Sequence, residues 1–348
     1  MMRRRSALAG VVSLLSAVFV AGRRGFAAQP VEDKDLVAKA QAQGTVSIYI
    51  AMTAEDVQKL VNRFDADYPA MKLQALRFES DQIPAKVTIE QRSGHYDVDV
   101  VIAPGLHTDQ LKRSGFLVAL RIPEDRDYRP GYVDPDGYWR VGFMNTDALA
   151  YNVNKVKQLG LPPPKAWMDL TKPEWRGNFA LYNGSYEWYA AMRRAMGPAG
   201  DQLMRGLAAN HPNLVGSHQI AMTMTAAGEY AAGVNIYAYN AARLMRAGQP
   251  VQLVNPDPVI GETLCVSMLK NAPHPDAAKL FVRWLMSYQT QSWMVQTNAI
   301  GRVSGHKNVN SDPLIWNPKL HIVVSNPSES VNYADNVRAF NSTFGITQ

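Results

Sequence analysis

The sequence holds a single cysteine, Cys265, in 348 residues. A lone thiol makes no internal bridge and supplies no thiolate zinc site. Beyond the N-terminus no uninterrupted apolar run reaches about 18 residues, so the mature chain carries no membrane-spanning helix. Catalytic signatures are missing as well. There is no G-x-S-x-G elbow, no G-x-x-x-x-G-K-[ST] loop and no G-x-G-x-x-G after a strand, and the seven histidines form no H-x-x-x-H or H-E-x-x-H pair. Nucleophile-elbow hydrolysis, nucleotide cradling and helical zinc chemistry lose their support. Internal repeats of 20–50 residues are absent too.

Acidic residues are missing from one segment. Residues 1–28 contain Arg3, Arg4, Arg5, Arg23 and Arg24 and no Asp or Glu. Setting this segment aside leaves 31 basic against 30 acidic residues, so the formal charge of +6 falls to +1. The basic balance therefore belongs to the leader, and nucleic acid is not an expected partner. Residues 1–5 form a basic n-region, 7–22 an apolar h-region, and 25–28 offer a small-residue cleavage site. Together they read as a cleaved signal peptide of the Sec or twin-arginine type, with a periplasmic mature chain.

The remaining chain reads as strand–helix alternation. Strands are expected at 45–50, 71–78 and 98–102, with helices at 31–43, 54–68, 83–92 and 109–114. Residues 121–139, rich in Pro, Asp and Tyr, read as a crossing loop. A second alternation follows, with strands at 142–152, 178–182, 234–239, 251–254 and 262–269. Helices are expected from about 185, at 189–209, 222–228, 241–247, 275–288 and 289–298. This pattern calls for an α/β protein of two lobes, each a mostly parallel sheet flanked by helices. Ligands of such sheets sit outside the carboxyl ends of the strands, which points to Thr53 and to Ala103 and Pro104. Cys265 reads as core, Asp97 as solvated, and Asp99 as a structural carboxylate, with action at the cleft as the lesser alternative.

Five segments in order resemble the extracellular solute-binding proteins of ABC importers, in the ferric-iron and phosphonate-type group. They are DVDVVI at 97–102, AYNVNK at 150–155, PKAWMDLTKPEWRG at 164–177, AGEYAAGV at 227–234 and PHPDAAKLF at 273–281. The resemblance implies a type II periplasmic-binding fold with hinge crossings and an interlobe cleft. The implied division is an N-terminal lobe of 29–119 and 255–288 and a C-terminal lobe of 120–254 and 289–348. It also implies a non-enzymatic monomer without cofactor, partnered by a small solute and an inner-membrane ABC permease.

The resemblance further implies site residues. NGSYE at 183–187 lies where the family binds phosphate or a synergistic anion, which points to Gly184, Ser185 and Tyr186. Tyr237, with Asn235 beside it, matches a family ligand contact. Apart from the resemblance, Tyr182, Trp188 and Tyr189 cluster near this turn and read as lobe core ahead of ligand contacts, while Arg77 and Glu79 read as solvated, with lobe closure as the alternative. Where the ferric members carry a histidine and a glutamate, Thr53 and Pro104 stand here, which removes two iron donors. A tyrosine-only iron site from Tyr186, Tyr237 and Tyr239 stays open as an alternative, and so does a secreted enzyme on the same fold. The favoured cargo is a small anionic or zwitterionic organic solute, of phosphate-ester, phosphonate or carboxylate type.

Overall fold

The computed structural model describes residues 31–296, 300–317, 319–325 and 331–347, so the leader read at 1–28 lies outside the described residues. The first lobe opens with α1 (Lys34–Gln43), β1 (Thr45–Ile50), α2 (Ala54–Asp67), β2 (Lys72–Arg77), α3 (Gln82–Ser93), β3 (Val100–Pro104) and α4 (Gly105–Arg113). After the crossing loop come β4 (Arg140–Asn152), α5 (Val153–Gln158), β5 (Phe179–Tyr182), α6 (Tyr186–Met196) and α7 (Pro198–Ala209). The second lobe continues with β6 (Asn213–Val215), α8 (His218–Ala227), β7 (Ala232–Tyr237), α9 (Ala238–Arg246) and β8 (Val251–Val254). Then follow β9 (Val259–Met268), α10 (Pro275–Met286), α11 (Tyr288–Met294), β10 (Ile322–Val324) and α12 (Tyr333–Phe344). None of the described helices is long and apolar enough to cross a membrane.

The sheet runs β2-β1-β3-β9-β4-β7-β5-β6. Strands β1, β2 and β3 are mutually parallel, as are β5, β6 and β7. The antiparallel pair β4 and β9 joins the two sets, with β9 pairing β3 and β4 pairing β7. Two α/β lobes joined by crossing strands result, in agreement with the alternation in the sequence. All six outer strands run their carboxyl ends toward the crossing and pass there into α2, α3, α4, α6, α8 and α9.

Each lobe is anchored by aromatics. Phe64 of α2 meets Phe281 and Trp284 of α10 edge-on, at centroid separations of 5.6 and 5.1 Å. Trp284 also donates its indole N–H to Asp67, which satisfies the one polar atom it buries. In the second lobe Trp167 packs on Trp188 at 5.5 Å and donates to the Pro258 carbonyl. Ile122, Tyr128, Tyr132, Met294 and Ile300, all from stretches expected to serve the second lobe, pack in the first lobe's core.

Three local expectations are corrected. The continuous helix expected at 189–209 is two helices, broken where Gly197 takes φ 57° and Pro198 opens α7. Proline has no N–H to extend a helix and glycine alone tolerates that backbone turn cheaply. The strand expected to reach residue 239 ends at Tyr237, because α9 begins at Ala238. Tyr239 is therefore helical and shares no strand face with Tyr237. Finally, α8 starts at His218 rather than 222, capped by the Ser217 hydroxyl, which accepts from the Ile220 N–H at 3.1 Å.

Candidate functional site

A cleft of about 330 Å³ opens between the lobes at the six strand ends. The first lobe lines it with residues 51–53 after β1, 77–81 after β2, and Pro104, Leu106 and His107 after β3. The second lobe contributes Tyr182 to Gly184 with Tyr186 and Glu187, then Ser217 to Gln219, then Tyr237, Tyr239 and Asn240.

Helix capping divides these walls into two kinds. Thr53 caps α2 by accepting from the Asp56 N–H at 3.3 Å, and Ser217 caps α8, so those termini are partly satisfied by the chain itself. Helices α3, α4, α6 and α9 start at Asp81, Pro104, Ser185 and Tyr237 without any side-chain cap. The first backbone N–H groups of a helix have no intrahelical acceptor, and they sit at the positive end of its dipole.

Of the residues singled out by sequence, Thr53, Pro104, Gly184, Tyr186, Tyr237 and Tyr239 line the cleft. Ala103, Ser185 and Asn235 are buried and do not line it. The Ser185 hydroxyl donates to the Tyr182 carbonyl at 2.8 Å and accepts from the Asn235 amide at 2.8 Å, so it braces the wall from behind. Asn235 takes φ 51°, and its carbonyl accepts from His218 Nδ1 at 2.7 Å, which fixes the tautomer. The His218 ring lies 4.5 Å from Tyr182 and 4.1 Å from Tyr237 between centroids, and burial lowers its pKa to about 4. His218 is thus neutral at physiological pH and serves as an aromatic spacer.

A Cβ at Gly184 would lie 2.3 Å from the Tyr182 hydroxyl, so the glycine makes room for the tyrosine ring at the cleft wall. Trp188 and Tyr189 belong to the second lobe's core, Tyr189 hydrogen-bonding Thr343 at 2.9 Å. Arg77 and Glu79 both line the cleft and pair with each other, and Arg77 also donates to the Met52 carbonyl at 2.9 Å. Asp99 is withdrawn from the cleft. Its carboxylate accepts from the backbone N–H groups of Ser47 and His274, at 2.8 and 2.6 Å, and ties β1 to the start of α10.

Sequence reasoning missed the floor, which the crossing strands build. Phe143 pairs with Leu264 and Asn145 with Glu262 across β4 and β9, and all four line the cleft. Asp147 pairs with Tyr237 on the β4–β7 ladder, on the same face of β4 as Asn145. The Tyr237 hydroxyl donates to Glu262 at 2.9 Å. Burial, with Glu187 nearby, pushes the Glu262 carboxyl up to about 8, and burial beside Glu262 holds Asp147 well above the usual range. The sequence signal was there: polar side chains at alternate positions of otherwise apolar strands. Which face they take depends on pairing between distant segments.

Also missed were Arg302 and Asp56, which pair at 2.9 Å, and the stacking of the Arg302 guanidinium 3.3 Å from the Tyr239 ring centroid. Tyr333 of α12 reaches the cleft and meets His107 at 5.5 Å. Among the described residues no three His, Cys, Asp or Glu side chains are grouped to hold a metal ion.

The sequence profile of bacterial extracellular solute-binding proteins matches residues 98–324. An uncharacterized protein of Haemophilus influenzae is 26% identical over 303 residues, covering 82% of this chain and 85% of its own. Among solved structures, the periplasmic binding protein AfuA of Actinobacillus pleuropneumoniae, with exogenous fructose-6-phosphate bound, superposes with a TM-score of 0.77. The match covers 88% of this chain and 100% of AfuA at 21% identity. Iron-bound HitA of Pseudomonas aeruginosa gives a TM-score of 0.71 at 20% identity, covering 85% and 99% of the two chains. Lobes, crossing strands and profile agree: the chain belongs to the bacterial extracellular solute-binding proteins, the capture components of ABC importers, with the type II fold.

Proposed function

We propose that the exported, mature protein works in the periplasm as a non-catalytic monomer. It captures a small organic solute with an anionic end, a phosphate ester, phosphonate or carboxylate, and delivers it to an ABC permease. The carrying observation is that α4 from one lobe and α6 and α9 from the other open without side-chain caps onto one cleft. Backbone N–H groups and dipoles from both sides then favour negative charge placed between them. Solute contacts shared by two lobes stabilise the closed form over the open one, which is the population shift that signals loading to the permease. AfuA, a structural relative, holds a sugar phosphate.

Several features weigh against ferric iron as cargo. Iron(III) prefers several anionic oxygen donors, and Thr53 and Pro104 supply none at the first-lobe positions. Burial raises the phenol pKa of Tyr186, Tyr237 and Tyr239, and the Tyr237 hydroxyl is engaged as a donor to Glu262. The test is a thermal-shift screen of sugar phosphates, alkyl phosphates, phosphonates and carboxylates against ferric citrate. A solute at a hundred times its Kd adds about 2.7 kcal/mol of stability, several degrees in Tm. Shifts from the organic anions are expected. A shift from ferric citrate alone, with a visible tyrosinate-to-iron band, overturns the reading.

A further inference from the structure

The floor of the cleft differs chemically from its walls, since it presents acceptors in excess of donors. Asn145 is 5% exposed, lines the cleft, and its Oδ1 has no hydrogen-bond partner. Glu262, its direct cross-strand partner, is 7% exposed and also lines the cleft. Behind them Asp147 is fully buried and neither of its carboxylate oxygens is hydrogen-bonded. Glu187 borders the same cavity from α6. Buried polar atoms normally find partners, because leaving one unpaired costs about 1–3 kcal/mol. A floor of this kind therefore waits for donors from outside the chain.

We propose that Asn145 and Glu262, backed by Asp147, form a subsite for a primary ammonium group of the solute. An ammonium carries three N–H donors and no acceptor, which is the complement of what the floor presents. The positive charge favours the ionised form of Glu262 and then compensates a carboxylate that burial otherwise keeps protonated. Tyr237 holds one Glu262 oxygen by its hydroxyl, which orients the carboxylate from the side. Phe143 and Leu264 occupy the next rung on the same face of that strand pair and supply apolar contact for a short carbon chain. With the uncapped helix termini above, the cleft then selects a zwitterion over a simple anion. This assignment rests on the cleft being the solute site, but not on the other end of the solute being anionic.

Four probes test it on the full mature chain by titration calorimetry and thermal shift: phosphoethanolamine, ethyl phosphate, 2-hydroxyethyl phosphate and ethylammonium chloride. Phosphoethanolamine is expected to bind at least about tenfold more tightly than ethyl phosphate, the gain of one charge-assisted contact. Glu262→Gln should shrink that ratio toward unity, by weakening phosphoethanolamine about tenfold more than ethyl phosphate. Ethylammonium alone, at tens of millimolar, should raise the Tm of the wild type and not of the variant. The comparison among probes on the wild type stands even where the variant fails to fold. Equal affinities for the amine, the alcohol and the ethyl ester, with no response to ethylammonium, overturn the subsite. A response to ethylammonium with no binding of any phosphate overturns the anionic reading and leaves the subsite in place.

Discussion

Ser185 and Glu262 show how differently one residue can act at a cleft. Ser185 looks like a ligand-binding hydroxyl, yet both of its hydrogen bonds are internal, to Tyr182 and Asn235. Ser185→Ala leaves the buried Asn235 amide donor without its partner, a loss of about 1–3 kcal/mol. The expected outcome is a Tm several degrees lower, with solute affinity changed far less than a ligand contact would require. Calorimetry showing a tenfold affinity loss at unchanged Tm would return Ser185 to the ligand shell. Glu262 has the opposite character, a strained functional group whose removal steadies the empty protein. Its folded pKa of about 8 exceeds the ordinary glutamate value of 4.5, so between those values the folded state holds the extra proton. Stability therefore falls as pH rises from 4.5 to 8 and levels off above. Glu262→Gln removes this slope, and its Tm advantage over the wild type should widen from pH 5 to pH 8. Asp147 on β4, itself raised by burial with Glu262 and Glu187 nearby, keeps a residual slope of the same sign, while Tyr237 donates to Glu262 and opposes it. A constant Tm difference across that range would mean that Glu262 is not held protonated.

At the scale of elements, what was legible in the sequence follows from which interactions are local. Strand β1 matches its expected limits residue for residue, since a β-branched run bounded by Gly44 and by the helix that Thr53 caps needs no tertiary information. The same holds for β8 and, within a few residues, for the helices that follow the first-lobe strands. Helix α12 was not legible. Its sequence mixes Asn, Ser and Thr, which favour helix interiors weakly, and it is held by Phe340 packing against Tyr186 and Tyr189 far upstream. Short β6 and β10 likewise exist only because β5 and β9 offer them a paired edge. The site divides along the same line. Its walls are strand ends passing into helices, so Thr53, Pro104, Tyr186 and Tyr237 could be read from the alternation and the resemblance. Its floor depends on the register of β4 against β9, and Asn145 and Glu262 meet only when that register is known. Gly184 lies at the cleft and Ser185 just behind it, and the approach of Tyr182 to both is invisible in sequence.

For the whole molecule, the question is what holds two lobes together across a solvent-lined cleft. The crossing strands supply covalent continuity, while specific contacts bridge the opening. Arg243 of α9 in the second lobe reaches Glu55 and Asp56 of α2 in the first, at 3.6 and 3.5 Å. Arg302 pairs with the same fully buried Asp56, and Tyr333 of α12 rests against His107 of α4. Arg243 is half-buried and Glu55 exposed, so their attraction is worth about 0.2–1 kcal/mol and is screened by salt. That size suits a latch: it is small enough to release without solute and large enough to bias the equilibrium between open and closed forms. Arg243→Ala should therefore weaken every solute by up to about fivefold, through faster release and without altering which solute is preferred. Solution scattering should show a larger radius of gyration for the solute-free variant than for the wild type, and equal radii once both are saturated. Raising the salt concentration should move the wild type toward the variant and leave the variant almost unchanged. Unaltered affinity together with superimposable scattering curves would show that the pair decorates the rim, and that closure is governed by the hinge strands and the solute alone.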